Sequence, residues 1–289
     1  MHDMVRDNWL RFNLPLEGQV HFMYLDVKGW VSTGVGNKID QTAAEMSAPS
    51  DAERSASLNL ANQLQWTDKN SGAVASPDQV AADWDAVKGR LDLAAKGHLA
   101  FEEMTQLRIS NEEVFRVVSG KLAEMETVLK GRPEFTAFDT WPASAQLATM
   151  SMCWGMGPMF RFPTFQGHVA AANWTGAADE CRFNPDEGTI RIRNKLDRAH
   201  FLAAAAVAAQ GLPVGQLSVS PVDVLGVQHA LWMLGFDPGP QDGGDGGRTQ
   251  AGVKAFQATR GVEENGRWDD PATRTELSTA LGEAGWLVV

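Results

Sequence analysis

The stretch Leu16–Gly36, LEGQVHFMYLDVKGWVSTGVG, decides how this chain is read. Glu17 is followed nine positions later by Asp26, and Ser32 comes six positions after that. VHFMYL and WVSTGV are rich in β-branched and aromatic residues, and DVKG between them supplies a turn, so residues 19–36 read as a hairpin. Ahead of it, residues 3–12 hold the apolar material of a short helix in Met4, Val5, Trp9, Leu10 and Phe12. Pro15 is expected to end that helix, because the residue before a proline is pushed out of the helical region.

A carboxyl at a helix end and a second in the following hairpin can face each other across a cleft. In different surroundings one is neutral and donates a proton while the other is ionised. Cleavage of a glycosidic bond needs that pairing. Leu14 and Leu16 flank Glu17, and their cover would favour its neutral form. Asp26 opens a turn and is expected to be wetter. On the return strand Ser32, Gly34 and Gly36 share one face, and Val31, Thr33 and Val35 the other. The first face is small enough to admit a sugar, so Ser32 rather than Thr33 is the candidate hydroxyl for holding a water. The plain alternative is that Asp26 caps a turn and Glu17 is a solvated charge, since such a spacing occurs in any acidic protein.

The rest of the chain bounds these readings. At 289 residues, 44% hydrophobic and 21% charged, it has material for one or two globular domains. A net charge of −11 and no Lys/Arg cluster exclude a nucleic-acid binder. An acidic chain is not steered to an anionic wall or membrane, so recognition there must rest on stacking and hydrogen bonds. No apolar run is long enough to span a bilayer, and the opening MHDMVRDNWLRFNLP has no basic start followed by an apolar block. A target outside the cytoplasm would then be reached by another route. Cys153 and Cys181 are too few for a disulfide framework and read as packed thiols. Six scattered histidines show no metal-ligand spacing, so no metal and no cofactor are expected.

Beyond Asp40 the pattern turns helical. Ser50, Ser76 (with Pro77 after it) and SNEE at 110–113 are helix starts. PASAQLATMSMCWGM is apolar nearly all round and reads as the central buried helix. Three more helical stretches follow, the last ending at Gly211. Residues 211–222, rich in Gly, Pro and Ser, read as a linker, and 223–289 as a three-helix module. Within the module GVQHALWMLGF and GVKAFQATRGV are faintly similar, as in a duplicated unit. The fold expected is mainly α (α+β): a catalytic domain over 1–210 with a small β-hairpin lobe, and the small helical domain after it.

The opening stretch resembles the start of the T-even phage lysozymes, a helix ending in Glu-Gly, then Tyr-x-Asp, a glycine turn and Gly-x-Gly. The matching residues are Glu17, Gly18, Tyr24, Asp26, Gly29, Gly34 and Gly36. The resemblance implies a lysozyme-like fold, with Glu17 as general acid and Asp26 positioning the attacking water. Ser32 stands for the family's threonine, keeping the hydroxyl without the χ1 stiffness of a β-branched side chain. Asn37 stands where the family often has a supporting histidine. ISNEEVFRVVSGKLAEMETVL, WPASAQLATMSMCWGMG and NWTGAADEC with GTIRIRNKLDRAHF are similar to its later helices, with Gly155 where a polar residue is usual. An arginine there pairs with the family's Glu. Arg193 is the candidate, with Arg191 and Lys195 as alternatives. Residues 41–105 match the family poorly and are longer than in its smallest members.

The C-terminal module resembles a three-helix peptidoglycan-binding domain. Gln228, Leu231, Leu234, Gly235, Asp242-Gly243, Gly246, Thr249, Val253, Phe256-Gln257 and Gly266 carry the likeness. The apolar residues read as core and the glycines as turns. Gln228, Asp242, Thr249 and Gln257 are the candidate contacts to glycan or stem peptide. Together the resemblances imply a muramidase, cleaving the β-1,4 bond between N-acetylmuramic acid and N-acetylglucosamine with inversion and working as an endolysin or a secreted antibacterial effector. Peptidoglycan is the expected partner of a monomer, with an inhibitory immunity protein in the effector case, and with no nucleic acid or membrane partner. Holin release or a secretion machine would take it to the periplasm and wall. A wall-binding protein with a decayed catalytic domain, or a lytic transglycosylase, is the alternative.

Overall fold

The computed structural model describes residues 1–289. The chain is mainly α, with three small sheets. It divides into two compact units, Glu17–Lys121 and the remainder, Met1–Leu16 with Leu122–Val289. No helix is long and apolar enough to cross a membrane.

The first helix, α1 (Asp3–Glu17), buries Val5, Trp9, Phe12, Asn13 and Leu16 along one side. It runs through Pro15 instead of stopping before it, which corrects the expected helix end. Proline costs a helix one N–H and leaves the carbonyl four residues back without its donor. Here that carbonyl is Arg11 O, and the indole Nε1–H of Trp232 donates to it at 2.7 Å. A tertiary bond thus replaces the missing helical one, and α1 continues as far as Glu17.

The smaller unit is built on the sheet β1 (Val20–Leu25), β2 (Val31–Gly34) and β3 (Asn37–Lys38), in that order. Tyr24 pairs with Ser32 and Leu25 with Val31, with an irregularity between Val20 and Tyr24. The segment that follows, residues 41–109, packs against this sheet. It holds α2 (Asp51–Ala61) and α3 (Pro77–Lys88), each opened by a full capping box, Ser50 with Glu53 and Ser76 with Gln79. It also holds the pair β4 (Trp66–Asp68) and β5 (Leu107–Ile109), and two 3-10 helices, Leu91–Lys96 and His98–Phe101. The sequence had shown neither strand, since three residues carry too little period-2 pattern. Trp84, fully buried, donates from its indole to Ile39 O at 3.0 Å. Lys88 and Asp40, both buried, pair at 2.8 Å, and the same ammonium donates to Gly29 O at 2.8 Å. Burial works against the Asp40 charge, yet Lys88 and the N–H groups of Val31 and Thr42 hold its carboxyl below the ordinary range.

α4 (Asn111–Lys130) leads out of this unit. Ser110 accepts from Glu113 N, but the Glu113 carboxylate turns to Gln65 N and Arg116, so only half of the expected box forms. The larger unit centres on α5 (Ala143–Met156), whose residues 143–153 are all buried. Around it lie α6 (Pro163–Ala170), α7 (Trp174–Glu180) and α8 (Gly188–Gln210), the last closed by Gly211 in the left-handed region. Cys153 and Cys181 are free buried thiols, and burial pushes Cys153 up to about 12.

The stretch 211–222 is a packed connection. Its β6 (Ser218–Val219) pairs in parallel with β7 (Leu287–Val288), and Ser144 of α5 bonds Ser218 through both backbone and hydroxyl. The three expected helices are α9 (Val224–Leu234), α10 (Gly247–Arg260) and α11 (Pro271–Glu283). They fall within the larger unit. Arg11 Nε donates to Trp232 O at 2.7 Å, His200 Nε2 meets His229 Nε2 at 3.1 Å, and Lys195 Nζ donates to Asp242 O at 2.6 Å. α9 approaches the connection so closely that a Cβ at Gly226 would fall 2.0 Å from Ser220 O.

Candidate functional site

The turn after β1 fixes Asp26. Its Oδ1 accepts from Lys28 N at 2.9 Å and Trp30 N at 3.0 Å, while its own N–H and C=O bond Trp30 and Gly29. Gly29 takes a positive φ of 78° there, and a Cβ on it would crowd Leu91 Cδ2 and Met46 Sδ at 3.0 Å, so glycine suits the turn. One carboxylate oxygen is therefore spent on the backbone, which aims the side chain.

Glu17 is exposed and Asp26 half-buried, the reverse of the expected cover. Leu16 turns into the core of its helix and so leaves its neighbour in water. The two carboxylates act on one group. Tyr24, the only tyrosine, has its phenol pushed up to about 12, first by burial and then by the charges of Asp26 and Glu17. Both carboxylates thus bear on the space beside Tyr24. Ser32 stands directly across the sheet from Tyr24, on the same face. Thr33 points the other way, fully buried, with its hydroxyl donating to Val20 O at 3.4 Å. The structure therefore brings Glu17, Asp26 and Ser32 around Tyr24.

Two expectations need correction. The face of small residues is not open: all of β2 is buried, Ser32 to 3% exposure, and a Cβ at Gly34 would lie 3.8 Å from Ile109 Cδ1 of β5. The segment packed on the hairpin closes it. Asn37 pairs with Thr33 in the sheet, which puts it on Thr33's side and away from Ser32.

Arg193 is buried in the larger unit. It donates to Ser151 Oγ at 2.8 Å, to Ser151 O at 3.2 Å and to Asn13 Oδ1 at 3.2 Å. Asn13 belongs to α1, one turn before Glu17. Gly155 leaves room for the Phe183 ring, which a Cβ there would meet at 3.3 Å, while Arg193 Nε, at 3.7 Å, would be in ordinary contact. Arg191 and Lys195 are exposed, Arg191 bonding Asp186 O. One turn on from Arg193, Asp197 is fully buried, neither oxygen has a hydrogen-bond partner, and burial pushes its carboxyl up to about 7 against the pull of Arg193.

In the C-terminal module three of the four candidate contacts face inward. Gln228 is fully buried; its Oε1 accepts from Gly243 N at 2.8 Å and its Nε2 donates to Thr249 Oγ1 at 2.9 Å and Gly244 O at 3.0 Å. Gln257 repeats the device one helix later, taking Gly266 N at 2.9 Å and donating to Thr273 Oγ1 at 2.6 Å. Thr249 is the partner of Gln228 and is 2% exposed. Each glutamine staples a glycine loop to the threonine that begins the next helix. A buried primary amide can satisfy both a backbone donor and an acceptor at once, and this made the glutamines part of the sequence signature. Asp242 alone is exposed, with Oδ1 accepting from Gly244 N. It borders a shallow pocket with Asp245, Arg248 and the glycines at the start of α10.

Residues 220–277 match the family described as "Putative peptidoglycan binding domain". This supports peptidoglycan as a partner and association with the cell wall. No lysozyme family model matches the chain. No curated protein and no solved structure matches it either.

Tyr24, Lys88 and the segment over the hairpin were not picked out by sequence reasoning as parts of the site. Tyr24 could have been, as the sole tyrosine two residues from Asp26. Lys88 gave no signal, since only the fold brings it to Asp40.

Proposed function

We propose that the protein is a peptidoglycan hydrolase, a muramidase that cleaves the β-1,4 bond between N-acetylmuramic acid and N-acetylglucosamine. The observation that carries this reading is the hairpin that follows Glu17, with Asp26 held by its turn two residues from Tyr24 and Ser32 across the sheet from that tyrosine, in a chain whose residues 220–277 match a peptidoglycan-binding domain. Glu17, in water at the end of α1, protonates the leaving oxygen. Asp26, one oxygen held by the turn, uses the other to hold a water on the opposite face of the sugar, while Ser32, buried across the sheet from Tyr24, supports that side of the hairpin. That gives inversion, for which carboxyls stand roughly 6.5–9.5 Å apart. Arg193 steadies α1 through Asn13. The enzyme acts on the wall as a bacteriolytic endolysin or as a delivered antibacterial effector, the latter with an immunity protein.

Mass spectrometry of peptidoglycan digested by the wild type and by Glu17→Gln tests the reading. Reducing N-acetylmuramic acid ends from the wild type alone support it. Anhydro ends would assign a lytic transglycosylase instead. Intact glycan under a folded, wall-binding wild type would leave a binding protein.

A further inference from the structure

The 3-10 helix His98–Phe101, in the segment over the hairpin, packs against β1. Its first residue, His98, is exposed, and its ring meets Tyr24 edge to face, 6.0 Å between centroids. Phe22 lies 6.4 Å from the same imidazole. Neither ring nitrogen of His98 and not the Tyr24 hydroxyl bonds to another protein group, and none of the three is a buried orphan. All three polar atoms therefore open to solvent. Leu99, next in the chain, is 68% exposed. A donor, an acceptor and an apolar edge thus stand together, two residues along β1 from Asp26.

We propose that His98 is a substrate-positioning residue that, with Tyr24, binds the acetamido group of an N-acetylated sugar. The assignment rests on the muramidase reading above. An acetamido group has a carbonyl, an N–H and a methyl within one small plane. The phenol, kept protonated by its surroundings, donates to the carbonyl. A ring nitrogen of the imidazole accepts from the N–H, and the methyl has the apolar edge at Leu99. A plain hydroxyl would satisfy one of these contacts, and a free amine would lose the carbonyl and the methyl together. His98 touches no carboxylate in the protein, so its role is recognition and not proton transfer.

The test measures kcat/KM on soluble glycan strands, native and chemically de-N-acetylated, for the wild type, His98→Ala and His98→Phe. Phenylalanine keeps the ring packing on Tyr24 but has no nitrogen. Both variants are expected to lose about fivefold on native strands, the worth of one hydrogen bond, chiefly through KM. The wild type is expected to lose at least as much on de-N-acetylated strands, which keep an N–H for His98 but have no carbonyl for Tyr24 and no methyl, and the His98 variants to lose there by a similar further factor, because the two changes remove different contacts. Full activity of His98→Phe on native strands would reduce His98 to packing and overturn the assignment, as would a wild type indifferent to de-N-acetylation. A wild type that leaves native strands intact would overturn the muramidase reading and this assignment with it.

Discussion

In the hairpin, Glu17 is exposed and Asp26 half-buried; in the C-terminal module, Gln228 and Gln257 are sealed inside. Both sets were singled out as polar residues within a glycine-rich motif. Their fates differ because of what a glycine loop needs. The turn at 26–30 satisfies its own N–H groups with Asp26, so one carboxylate oxygen is left for other work. The loops at 242–244 and 265–266 also bond within themselves but leave the N–H of Gly243 and of Gly266 over, and each borrows an amide oxygen from the preceding helix. A signature residue is thus a chemical group in one region and a staple in the other, and burial tells which.

Five substitutions test that contrast, the largest expected effect first. Glu17→Gln should lower the rate of wall cleavage by about 10²–10⁴-fold, the contribution of a general acid, with no change in the melting curve. A matching loss of stability would make Glu17 a structural residue like the glutamines. Lys88→Met leaves Asp40 charged and buried without its partner and frees Gly29 O. The cost should be about 3–5 kcal/mol in denaturant unfolding of the smaller unit, since one half of a buried pair is worth less than none. An unchanged midpoint would mean that the Asp26 turn stands without that clamp.

Asp197→Asn separates the acid and alkaline limits of the larger unit. The folded Asp197, at about 7, lies above its ordinary 3.8, so its contribution is full below that lower value and is lost as pH rises through 7. His229 is depressed by burial to about 4 from 6.5, so its contribution is present above 6.5 and is lost as pH falls through 4. The substitution should remove the alkaline loss alone, up to about 4 kcal/mol between pH 4 and pH 8, read as denaturant midpoints across that range. Gln257→Ala should cost about 2–3 kcal/mol by stranding Gly266 N–H and Thr273, and should weaken wall binding only by unfolding the module. Arg248→Ala, at the exposed pocket, should do the opposite: stability within about 0.5 kcal/mol and a measurable loss of pelleting with purified walls.

Much of the architecture was legible. The hairpin, the capped starts at Ser50 and Ser76, the all-round apolar α5 and the three module helices are local features, set by residues near one another in the chain. The end of α1 was not legible, because the donor that excuses Pro15 comes from Trp232. The strands β4 and β5 were not either, since each is three residues long and exists by pairing across 41 positions of sequence. For the site, the residue types and their order were visible at once. The exposure of Glu17, the closed face of Ser32 and the place of His98 beside Tyr24 were not.

The amino-acid sequence by itself determined where helices start, where the hairpin turns, and which carboxylates and amides belong to motifs, because capping, turn chemistry and periodicity act over a few residues. Tertiary structure alone decided which of those polar groups meet water and which are spent inside, which segment covers the hairpin, and that the module is bolted to α1 and α8. Burial and long-range hydrogen bonds depend on neighbours that only folding brings together, and they set the function each polar residue can have.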